Sequence, residues 1–66
     1  MVQSSGMLNY FKMILTRVSF DTRLFEKELR KAIRALIGND LAELRQWCYQ
    51  TFSGRFDSVL NNCFGK

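Results

Sequence analysis

The sequence predicts an all-α protein, a small bundle of three helices with a short fourth helix at the C-terminal end. Three observations carry this. Apolar residues recur every three or four positions in four successive stretches. Residues that start or stop helices (Ser, Asp, Gly, Asn) stand at most of the borders between them. No proline interrupts any stretch. The length, 66 residues, makes one domain.

Residues 1–5 read as a frayed polar lead-in, from which Ser4 or Ser5 can cap the first helix. That helix is expected over 6–19. Its stripe is Met7, Leu8, Phe11, Ile14, Leu15 and Val18, with Tyr10, Met13 and Arg17 off centre. The connection through Ser19, Phe20 and Asp21 is short. It favours two neighbouring helices that fold back on each other; the alternative is one continuous rod.

The second helix, expected over 22–37, organises the rest. Advancing about 100° per residue from Phe25 brings Leu29, Ala32, Ile33 and Leu36 within roughly 80° of it. The same arithmetic puts Arg23, Lys27, Arg30, Lys31 and Arg34 between about 140° and 240°, on the opposite side. Glu26 stands four residues before Arg30 and Glu28 three before Lys31, as supporting ion pairs. Asp21 is the expected N-cap. Phe20 and Phe25 then hold the positions of a hydrophobic staple. Gly38 and Asn39 are expected to end the helix in a left-handed cap.

A third helix is expected over 41–52, opened by Asp40 and Glu43 as a capping box. Leu41, Leu44, Cys48, Thr51 and Phe52 share its inner face, with Trp47 at the edge. Arg45 and Tyr49, four apart on the outer side, suit a cation–π contact. After Ser53 and Gly54, the spacing of Phe56, Val59, Leu60 and Cys63 predicts a last helix over 56–64.

Composition narrows the function. There is no histidine, and Ser19, Ser53 and Ser58 have no visible base. Asp21, Asp40, Glu43 and Asp57 all stand at helix starts, where capping explains them. Cys48 lies on an apolar face, and two thiols alone make no zinc site. We therefore expect a non-enzymatic protein with no cofactor and no metal. Two buried thiols in a reducing cytoplasm are the expectation for Cys48 and Cys63; a disulfide is the alternative. The opening MVQSSG lacks the basic start and apolar run of a secretory signal.

The net charge is +4, and the basic excess lies in the N-terminal half. The stripe of Arg23, Lys27, Arg30, Lys31 and Arg34, extended by Lys12 and Arg17, suits a row of phosphates or an acidic protein surface. Its ordinary alternative is a solvated outer face. Hydrophobic residues make up 47% of the chain and aromatics 14%, which is more than so short a chain hides easily. Tyr10, Trp47, Tyr49 and Phe64 are the aromatics expected to be left for a partner. A basic face opposite an apolar one also suits anionic lipid. Four amphipathic segments argue that the apolar faces cover one another instead. The expected protein is a small RNA-associated accessory component, such as one bound to the ribosome. The alternative is a helical protein–protein module, self-associating or a small subunit of a larger assembly.

Overall fold

A computed structural model describes residues 6–65 of the chain. The lead-in with Ser4 and Ser5 lies outside the described residues, as does Lys66. The described chain forms α1 (Gly6–Arg17), α2 (Thr22–Ala35), α3 (Gly38–Phe52) and α4 (Asp57–Phe64). This is the predicted bundle of three helices and a short fourth. α1 packs on α2, α2 on α4, α4 on α3 and α3 on α1, so the helices close a ring in that order around one core. The first two helices thus fold back on each other and do not form a rod. The Cα radius of gyration, 11.0 Å, equals the value of about 11 Å expected for a fully collapsed chain of this length.

At the end of α1, Ile14 O accepts from Val18 N–H at 3.0 Å and Thr16 O from Ser19 N–H at 3.4 Å. Thr16 Oγ1 donates to Lys12 O at 2.9 Å, and Ser19 Oγ donates to Thr16 O at 2.8 Å. Asp21 N–H then closes the turn onto Val18 O at 3.0 Å. Of the predicted stripe, Leu8, Phe11 and Leu15 are buried and Ile14 and Val18 half-buried, while Met7 is exposed.

Asp21 caps α2 as expected. Its extended backbone (φ −133°, ψ 113°) lets Oδ1 accept from Arg23 N–H at 2.9 Å and Leu24 N–H at 3.2 Å. The staple does not form. Phe25 is fully buried, but Phe20 is 79% exposed. Phe25 already has its partners from the far half of the chain. Phe56 stacks on it at 4.3 Å and 11°, and Phe52 stands edge-on at 4.9 Å. Trp47 extends the cluster, edge-on to Phe52 at 5.5 Å.

The end of α2 also differs from expectation. The helix stops at Ala35, Leu36 and Ile37 are extended, and Gly38 and Asn39 begin α3. Adjacent side chains on extended backbone point to opposite sides. Leu36 therefore enters the core while Ile37 is left 81% exposed. Gly38 does take the left-handed conformation, at φ +61°, but as the first residue of α3.

No side chain caps α3, so the predicted capping box is absent. Asp40 sits inside the first turn, where the helix dipole favours it. Glu43 turns instead to Lys12 of α1, 3.4 Å away. Leu44, Cys48 and Phe52 are buried as expected, and Leu41 and Trp47 half-buried. Thr51, expected on the inner face, is exposed, while Trp47 one turn earlier stands edge-on to Phe52. The chain then reverses at Gly54 (φ +85°), whose N–H donates to Asp57 Oδ1 at 3.0 Å. α4 starts at Asp57, one residue later than expected, and buries Val59 and Leu60. Among the described residues the core contains no polar or charged side chain.

Candidate nucleic-acid interface

The outer face of α2 exists because its inner face is fully used. With Phe25, Leu29, Ala32 and Leu36 buried, the opposite side must face solvent. Arg23, Lys27, Arg30, Lys31 and Arg34 are all exposed there. Helix geometry spreads them over about 16 Å along the axis, one cation every turn or less.

These cations are not equivalent. Arg30 is held by Glu26, with Nη2 at 2.8 Å and Nε at 3.2 Å from one carboxylate oxygen. That hydrogen bond raises the Arg30 pKa above its ordinary value, so the group is a permanent cation. Lys31 lies 3.5 Å from Glu28. Both pairs are the ones the spacing predicts. Arg23, Lys27 and Arg34 form no ion pair among the described residues. They are the charges most available to an outside anion.

Lys12 and Arg17 part company. Arg17 is exposed at the end of α1, close in sequence to the start of the stripe. Lys12 instead faces α3. It pairs with Glu43 and lies 5.8 Å above the Trp47 ring, which ties α1 to α3.

The structure adds a cation that sequence reasoning missed. Arg55, in the turn before α4, sends Nη2 across to Ser19 O at 3.0 Å. Its guanidinium also lies 5.1 Å over the Phe56 ring. The two residues are 36 positions apart, and no local signal in the sequence connects them. Arg55 thus reaches the turn that carries Phe20, which Arg17 and Arg23 flank in sequence.

Of the four aromatics expected to be spare, only Tyr10 is largely exposed, at 52%. Trp47, Tyr49 and Phe64 pack against the core. Tyr49 also donates to Asn61 Oδ1 at 2.8 Å and lies under Arg45 at 5.4 Å, the predicted cation–π contact. The most exposed aromatic is Phe20, which sequence reasoning placed inside. Its exposure follows from long-range competition for Phe25, which no local rule contains.

Both cysteines are unpaired; Cys48 is buried as expected, whereas Cys63, near the end of α4, is only half-buried. Burial pushes the Cys48 thiol up to about 12, with neighbouring Cys63 adding to the effect and Lys12 opposing it. Burial also raises Cys63, against the pull of Arg30. Neither thiol is activated as a nucleophile at neutral pH. An open groove of about 540 Å³ runs along Ala42, Arg45, Gln46, Tyr49 and Gln50 of α3. A smaller one of about 190 Å³ lies between α1 and α3 beside Lys12 and Trp47. Neither is lined by the α2 stripe. Among the described residues no helix is long and apolar enough to cross a membrane.

No family model, curated protein or solved structure matches the chain.

Proposed function

We propose that this is a small non-enzymatic binding protein that grips the phosphates of RNA with the outer face of α2. The observation that carries the reading is the one-sided row of cations from Arg23 to Arg34. Three of its five members have no internal ion pair among the described residues. Arg offers forked hydrogen bonds to phosphate and Lys a mobile charge. The helix, capped by Asp21, fixes the backbone that carries them, so the ordering cost at binding falls on the side chains alone. A protein docked on ribosomal RNA is one setting that such a face suits.

The test reverses the three unpaired charges together, as Arg23→Glu, Lys27→Glu and Arg34→Glu. The internal pairs of Arg30 and Lys31 stay intact, so the fold is preserved. Affinity for labelled RNA is followed by anisotropy across a salt series. Each lost phosphate contact makes the slope of log K against log salt shallower by about 0.7–0.9. The triple variant should therefore lose about 2 to 3 in slope, together with most of its affinity. Unchanged affinity and slope would reduce the stripe to a solvated face.

A second reading, a helical protein–protein module, is favoured by one observation. Met7, Tyr10 and Met13 recur along α1 and are all exposed. Self-association through that face makes the thermal midpoint rise with protein concentration. A midpoint independent of concentration would dismiss the homo-oligomer.

A further inference from the structure

The turn between α1 and α2 points to the kind of nucleic acid the site takes. Phe20 projects from it, 79% exposed, with no ring contact to any described aromatic. Arg17 lies three residues before it and Arg23 three after. Arg55 arrives from the other end of the chain and bonds to the carbonyl of Ser19, its immediate neighbour. The nearby carboxylates are occupied. Asp21 accepts from two backbone N–H groups of α2, and Asp57 accepts from Gly54 N–H. An exposed phenyl ring thus stands in a turn that Arg17 and Arg23 flank in sequence and that Arg55 reaches through Ser19, at one end of a row of cations.

We infer that the site takes single-stranded RNA, with one unpaired base stacked on Phe20 while Arg17, Arg23 and Arg55 hold the flanking phosphates. The inference rests on the phosphate-gripping reading above and sharpens it. In a duplex every base is already stacked and paired, so a projecting phenyl ring finds only the sugar–phosphate surface. An unpaired base offers a free π-face to an exposed aromatic. Phosphates on either side of that base then lie where the chain supplies arginines. A surface built only for duplex phosphates would gain nothing from this ring.

The experiment compares an unstructured RNA of about 12 nucleotides with a duplex of the same length, by anisotropy, for the wild type and three variants. Phe20→Ala and Phe20→Leu should each weaken the single strand about 5- to 150-fold, the range of one lost base–aromatic stack. Phe20→Tyr should bind like the wild type. All three should leave duplex binding and the salt slope unchanged, because no charge is removed. Leucine separates a π-face from mere apolar bulk, and exposure at this position keeps every variant folded. Undiminished single-strand binding by Phe20→Ala would overturn the inference, as would an equal loss on both RNAs or retention by leucine. If Phe20→Ala changes nothing while the α2 triple reversal still abolishes binding, phosphate gripping stands and only base stacking falls. If the triple reversal changes nothing either, both fall.

Discussion

Phe20 and Phe25 lie five residues apart on either side of one helix cap, and the structure gives them opposite energetic weight. Consider alanine at each. Phe25 is fully buried, stacked on Phe56 at 4.3 Å and edge-on to Phe52 at 4.9 Å. Removing such a ring costs about 3–5 kcal/mol, from lost transfer energy and the cavity left behind. Both aromatic contacts lie at the heart of the cluster, so the upper half of that range applies. A chain of 66 residues has a total stability of only about 3–10 kcal/mol. Phe25→Ala should therefore remove a large part of it, and unfold the protein outright if the total is below about 4 kcal/mol. Phe20→Ala removes a ring that is 79% exposed and should shift stability by no more than about 0.5 kcal/mol. Urea unfolding followed by helix circular dichroism measures both. Trp47 fluorescence gives a second probe, since its ring touches Phe52 within the same cluster. Comparable losses for the two variants would refute the reasoning and restore the staple. So would a Phe25→Ala loss below about 1 kcal/mol, since a central buried ring cannot be that dispensable.

Other perturbations follow from single residues. Gly38→Ala meets no atom within 4 Å but must adopt φ +61°, so it should cost about 1–2 kcal/mol in urea unfolding. The same change at a right-handed helical position would cost nothing of the kind. Cys48 titrates near 12 when folded, above the usual thiol value, so the unfolded chain ionises first as pH rises. Its share of the stability is complete below the unfolded thiol pKa of about 8.5. That share falls as pH climbs toward 12, by at most about 1.4 kcal/mol per pH unit. In alkaline urea titrations Cys48→Ala should be less stable at pH 7 yet lose stability less steeply above pH 9. A slope identical to that of the wild type would show that the thiol is not protected.

The features legible in the amino-acid order were periodic and local. The four apolar stripes dictated four helices, because only a helix turns such spacings into one buried face. The Asp21 cap, the two intrahelical ion pairs, the Arg45–Tyr49 contact and the solvent-facing row on α2 depend on neighbours within about one turn. All were legible without coordinates. Tertiary structure decided whatever required choosing between partners far apart in the chain. Phe25 took Phe56 and Phe52 over Phe20, which left Phe20 in water. Leu36 entered the core as its place in the stripe predicts, but α2 ended at Ala35 and Gly38 opened α3 instead of closing α2. Glu43 left its expected cap for Lys12, which removed Lys12 from the candidate surface. Trp47, Tyr49 and Phe64 found room against the core once α4 closed the ring. Arg55 joined the candidate surface through one hydrogen bond spanning 36 residues. Helical periodicity says which side of a helix is buried. It does not say which of two rings, or which of two carboxylate partners, wins a place, because that depends on the helices meeting in three dimensions.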